Sequence, residues 1–169
     1  MKTIEIKLYK FSELSENAQQ KALENLFDIN VDYEWWESIY EDAENIGLKI
    51  TSFDIDRGGY CNGDIISAHI DTANAILREH GESCETYKTS KNFLNEYLPL
   101  KEKFESENEG WYYEDENDSD ELRDEFLKSL LEDYRIILQN EYEYLTSKEA
   151  IIESIEANDY DFTEDGKIY

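Results

Sequence analysis

Polar and apolar residues alternate from residue 2 to residue 9, with Ile4, Ile6 and Leu8 on one side, the period-two signature of a half-buried strand. The period then lengthens. Ser12 and Ser15 offer N-caps, and Ala18, Ala22, Leu23 and Leu26 recur at helical spacing, predicting a helix to about Phe27. Trp35, Trp36, Ile39, Tyr40, Ala43 and Ile46 repeat that spacing, with Asn30 or Asp32 as cap and Gly47 as stop. Alternation returns over 48–56 through Leu48, Ile50 and the pair Phe53 and Ile55. Gly58 and Gly59 make a turn, and 65–70 reads as the return strand. This hairpin is expected to pair with the N-terminal strand.

Helical spacing dominates the rest. Asp71 caps a short helix through Ala75, Ile76 and Leu77, closed by Gly81. Another starts near Cys84, with Tyr87, Phe93, Leu94, Tyr97 and Leu98 as core contacts, and Pro99 breaks or kinks it. Residues 106–120 read as an acidic loop. Asp118 with Glu121 forms a capping-box pattern before the longest helix, which runs to about Leu145. Its apolar stripe is Leu122, Phe126, Leu127, Leu130, Tyr134, Ile137 and Leu138. Thr146 with Glu149 repeats the box for a helix through Ile151, Ile152 and Ile155. An Asp165-Gly166 turn makes the tail a small terminal hairpin. These elements predict an α+β fold: a small antiparallel sheet of about three strands plus the terminal hairpin, packed with five to six helices, helix-rich toward the C-terminus.

Charge changes this picture most. Forty-two Asp and Glu face sixteen Lys and Arg, a formal −26 on 169 residues. Such an excess costs a compact fold stability through self-repulsion, so a positively charged partner is the natural reason for it. Aromatic residues make up 14%, whereas disordered acidic chains are poor in them, so the chain folds. The N-terminus lacks the apolar core of a signal peptide. No run approaches the roughly 18 apolar residues of a membrane span. Cys61 and Cys84 are too few for a disulfide framework. A cytoplasmic protein with free thiols, away from membranes, is expected. Residues 1–100 hold nineteen acids and nine bases, and 101–169 hold twenty-three and seven. The expectation is an α+β body over 1–100 and an acidic helical part over 101–169, sharing one core, with a lopsided field.

Duplex DNA carries roughly one charge per 1.7 Å of axis, so twenty-six charges at that density cover about 44 Å. A compact chain of this length is about 40 Å across. Imitation of polynucleotide therefore requires carboxylates in rows. Glu34, Glu37, Glu41 and Glu44 make one helical row; Asp118, Glu121, Asp124 or Glu125, Lys128 and Glu132 make another, with few bases at i+4 to neutralise them. Trp111, Tyr112 and Tyr113 are either interface anchors beside the acids or core residues folded back. The expected partner-binding set is Trp111, Tyr112, Glu114, Asp115, Glu116, Asp118, Asp120, Glu121, Asp124 and Glu125.

Competing chemistry is thin. Asp161, Thr163, Asp165 and Gly166 imitate only the first half of an EF-hand loop; in the segment from Asp115, Asp120 replaces the required glycine and Phe126 the closing glutamate. No metal or other cofactor is expected. The Gly58–Asp64 segment holds Cys61, with His69 and His80 downstream, and suggests a small enzyme centred on Cys61 and His69. Its plainer reading is a glycine-permitted turn, and a negative field opposes thiolate formation. Phosphate-cradling, dinucleotide and zinc-protease patterns are absent, and the sign of the charge opposes direct nucleic-acid binding. A non-enzymatic protein is expected.

Three segments, LSENAQQKALEN (14–25), DINVDYEWWESIYEDAENIGLKITSFDIDRG (28–58) and YLTSKEAIIESIEANDYDFTEDGKIY (144–169), resemble small acidic proteins encoded by phages and prophages. The resemblance implies an accessory protein acting in the host bacterial cytoplasm. It implies an inhibitor of a defence system, of anti-CRISPR or anti-restriction type, whose partner is a basic nucleic-acid-binding protein or complex. An antitoxin-type inhibitor of a basic toxin is the alternative.

Overall fold

The computed structural model describes residues 5–113 and 117–169. A 3₁₀ turn at Phe11–Glu13 precedes α1 (Glu16–Asn25), α2 (Glu37–Asn45), β1 (Leu48–Asp54), β2 (Tyr60–Ile65), α3 (His69–Glu79), α4 (Glu85–Glu107), α5 (Asn117–Leu145) and α6 (Lys148–Ala157). The fold is α+β. The chain divides into two compact units, one of residues 1–35 with 140–169 and one of residues 36–139. The change in composition near residue 100 falls inside α4 and marks neither cut.

In the first unit, Ser15 caps α1 by accepting the Ala18 N–H at 3.3 Å, as its place before the apolar repeat dictates. The core joins Phe11, Leu14, Ala18, Ala22 and Leu23 to Ile151, Ile155 and Phe162. The expected capping box of α6 is corrected. Ser147 is the cap, accepting from Ala150 N–H, while the Thr146 hydroxyl turns back to the Tyr142 carbonyl and helps close α5. Asn30 is not a cap either: its amide donates to the Leu145 carbonyl and its oxygen accepts from Ser154 Oγ at 2.6 Å.

The expected N-terminal strand is also corrected. Residues 5–8 form no strand, and Ile6 is 53% exposed. Tyr9 instead exchanges two backbone hydrogen bonds with Phe162, which also bridges to Ile168. The terminal hairpin is thus present in minimal form. Its turn needs Gly166, at φ +83, where a Cβ would lie 2.2 Å from the Ala18 carbonyl oxygen. Alternation marks one wet and one dry side but does not supply a pairing neighbour; here Tyr9 finds the tail.

The second unit holds the only regular sheet among the described residues, the antiparallel pair β1–β2, two strands rather than about three. Buried Leu48 and Ile50 are followed by half-buried Phe53 because Thr51 is an extra residue between the Ile50–Gly63 and Ser52–Asn62 pairs, a bulge that shifts the alternation. The return strand is Tyr60–Ile65, not 65–70: Ile66 is exposed and Ile70 belongs to α3. Asn62, Gly63 and Asp64 are poor strand formers overridden by the pairing. Gly63 is required there, since a Cβ would lie 2.4 Å from the Lys49 carbonyl oxygen.

Helix ends in this unit are less side-chain-capped than expected. α2 starts after Trp36 with no side-chain cap, so Asp32 does not serve as one. α3 starts after Ala68, placing Asp71 in its first turn, where its charge suits the helix dipole, and it ends at Glu79 with His80 as its C-cap, so Gly81 lies just beyond the cap. α4 runs through Pro99 without ending, and α5 starts at Asn117, so Asp118 lies within the helix. Leu98 and Ile137 are exposed, not core. The core gathers Ala43, Ile46, Leu48, Ile50, Ala73 and Ile76 with Phe93, Leu94, Tyr97, Phe126, Leu130 and Tyr134.

Candidate partner-binding surface

Packing splits the three loop aromatics between their two readings. Tyr113 is buried, its ring 5.2 Å from Tyr97 and 5.7 Å from Phe104. Trp111 and Tyr112 are each 67% exposed. Buried Tyr113 anchors the end of this segment to α4, and its two neighbours are held out in water. Two large aromatics in water are what an interface uses. Glu114, Asp115 and Glu116 lie outside the described residues, as does the side chain of Asp118.

Asp120, Glu121, Asp124 and Glu125 are all exposed on α5 because Phe126 and Leu130 face the core. Their row is shorter than the sequence suggests. Asp120 is ion-paired with Arg123, and Glu132 with Arg135 at 2.6 Å. The neutralising bases stand at i+3, not i+4, which the sequence expectation missed. Glu121, Asp124 and Glu125 remain without an ion pair among the described residues, as do exposed Glu37, Glu41 and Glu44 on α2. Glu34 precedes α2 and belongs to the other unit.

Between α4 and α5 lies an open groove of about 220 Å³. Phe93 and Phe126, stacked at 4.3 Å, and Leu122 line it together with Glu96 and Glu125. Thr89, at the same groove, donates its hydroxyl to Asp133 Oδ2 at 2.7 Å. Burial pushes the Asp133 carboxyl above its usual range, against that hydrogen bond.

A polar cluster that sequence reasoning missed joins four helices of the second unit. Tyr134 donates to Asp42 Oδ2 at 2.7 Å. His80 Nε2 stands 3.6 Å from Asp42 Oδ1, within ion-pair range but too long for a hydrogen bond, and His80 Nδ1 is 2.8 Å from Thr86 Oγ1. The imidazole and the Tyr134 hydroxyl hold the Asp42 carboxyl below its usual range despite partial burial. Burial above all holds the Tyr134 phenol far above its own. Thr86 is 2% exposed, so the cluster presents no accessible nucleophile. The signal for it was weak: an aspartate on the wet side of a helix and a histidine at a helix end, ninety-two and six residues from their partners.

Cys61 lies on β2, half-buried against the second core. Burial pushes its thiol up to about 11, opposed by the Arg135 charge. His69 packs its ring 6.5 Å from Phe126, and burial and then Arg123 lower its pKa. In the tail, Asp161 is taken by Lys10 at 2.8 Å and Asp165 by the Thr163 hydroxyl at 2.6 Å, so these carboxylates are spoken for within the fold.

The negative charge is not gathered in one unit. Residues 36–139 hold twenty-six acids and ten bases; the other unit holds sixteen and six. Net charge per residue is therefore the same in both units. Among the described residues no helix is long and apolar enough to cross a membrane. Searches against protein-family models, curated proteins and solved structures find no match to this chain.

Proposed function

We propose that this protein is a non-enzymatic inhibitor that places acidic helix faces in the nucleic-acid groove of a basic host complex. The observation that carries the reading is the combination on the second unit: exposed Glu121, Asp124 and Glu125 on α5, without an ion pair among the described residues, with exposed Trp111 and Tyr112 on the segment leading to that helix. Carboxylates without an internal counter-ion lose little on meeting arginine or lysine, and they steer association. The two aromatics add burial at such a contact. The elevated thiol of Cys61 supports a non-catalytic role, because a thiol kept protonated is a poor nucleophile. The phage-protein resemblance supports a CRISPR or restriction complex as the partner.

The test is a pull-down from the bacterial host, followed by competition with duplex DNA and a salt titration. Affinity is expected to fall about tenfold or more between 50 and 300 mM NaCl, as screening predicts for an ionic interface. Trp111→Ala and Tyr112→Ala are expected to weaken binding about tenfold each while leaving the unfolding midpoint unchanged. A partner that tolerates salt and DNA alike would overturn the reading. Capture of a basic toxin would assign the antitoxin-type alternative instead.

A further inference from the structure

The groove between α4 and α5 has a composition that selects its occupant. Its floor is apolar: Phe93, Phe126 and Leu122. Its charged groups are Glu96 from one helix and Glu125 from the other, and among the described residues no lysine, arginine or histidine lines it. Neither glutamate has an ion pair among the described residues. Thr89 commits its proton to Asp133, so its oxygen remains an acceptor. At about 220 Å³ the space is below the roughly 300–1,000 Å³ of small-molecule sites. An anion is repelled, and a neutral apolar group leaves two carboxylates to be desolvated for nothing.

We propose that this groove takes a single arginine side chain of the basic partner, its methylene stem along Phe93, Leu122 and Phe126 and its guanidinium shared by Glu96 and Glu125. Arginine suits it better than lysine. A planar fork can donate to two carboxylates at once and is more weakly hydrated, while an ammonium is a compact, strongly hydrated point charge. The stem covers apolar surface as the head stays at the charged rim. The inference rests on the reading that the chain binds a basic partner and names the contact that would give that binding its register.

The experiment titrates the full, isotopically labelled chain with N-acetyl-arginine amide, and in parallel with the lysine and citrulline analogues, following amide and aromatic NMR signals. Arginine is expected to shift Glu96, Glu125, Phe93 and Phe126 saturably, lysine at least several-fold more weakly, and neutral citrulline not at all. Glu96→Gln with Glu125→Gln keeps size and exposure; with amide dispersion unchanged, it is expected to lose the arginine response. Shifts spread evenly over Glu37, Glu41, Glu44 and the groove, or an unchanged response in the double variant, would overturn the proposal. A host partner held equally by wild type and double variant, and released from both by salt, would overturn the groove and leave the acidic-surface reading standing. A salt-insensitive partner with the arginine site intact would do the reverse.

Discussion

Asp42 shows how much one side chain can be asked to do. It takes the Tyr134 hydroxyl on one oxygen and faces the His80 imidazole with the other, so it meets partners from two other helices. Removing it as Asp42→Ala leaves the hydroxyl of fully buried Tyr134 unsatisfied, an expected loss of about 1–2 kcal/mol in urea unfolding. The lower part of the usual range applies because the Asp42 side chain is 51% exposed. Its carboxyl is held below the unfolded value of about 3.9. A depressed carboxyl contributes stability above the unfolded pKa and loses it as pH falls through the folded one. The gap between wild type and variant is therefore expected to persist down to about pH 4 and to shrink below it. The two cysteines give a second residue-level prediction. Exposed Cys84 is expected to react with a thiol reagent at neutral pH, while Cys61 stays slow and quickens about tenfold per pH unit toward about 11, read by mass spectrometry of the labelled peptides.

Among the elements, α4 carries a proline that its packing overrules. Pro99 has no N–H for the Asn95 carbonyl, yet the helix continues for eight residues beyond it to Glu107. Phe93, Leu94 and Tyr97 are buried before it and Phe104 packs on the same core after it, which holds the helix on both sides of the defect. Because Pro99 itself is exposed, Pro99→Ala is expected to stabilise the protein by about 1–3 kcal/mol, seen as a higher urea midpoint at unchanged slope. The adjacent tryptophans make a related point. Trp35 packs 5.7 Å from Tyr142 in one unit, and Trp36 packs 5.5 Å from Phe53 in the other. One apolar stripe in the sequence thus serves two units, and the helix expected to be capped by Asn30 or Asp32 is shorter and begins at Glu37.

For the whole molecule, −26 is a standing load, spread at equal density over both units. Raising NaCl from about 0.01 to 1 M shortens the screening length from roughly 30 to 3 Å. The melting temperature is therefore expected to rise by several degrees, the opposite of the weakening expected for partner binding over the same range. A flat or falling melting temperature would mean that local ion pairs such as Asp120–Arg123 and Glu132–Arg135 already offset the repulsion.

The helices were legible in the sequence because their apolar spacing is a local property: Ala18, Ala22 and Leu23, or Phe126, Leu130 and Tyr134, lie on one side of a helix wherever that helix sits. The glycine stop at Gly47, the hairpin turn at Gly58 and the tail turn at Gly166 were legible for the same reason, and all three have positive φ. So was the acidity, which is composition. Pairing was not, because a strand's partner is set by what lies next to it in space: Tyr9 took Phe162, and poor strand formers at 62–64 became β2. The i+3 ion pairs that shorten the acidic row are local to α5 and follow from helical spacing alone. Not legible were the separation of Trp111 and Tyr112 from Tyr113, the groove between α4 and α5, and the Asp42–His80–Tyr134 cluster. Each depends on which groups two distant segments bring within a few ångströms, and only the packed chain decides that.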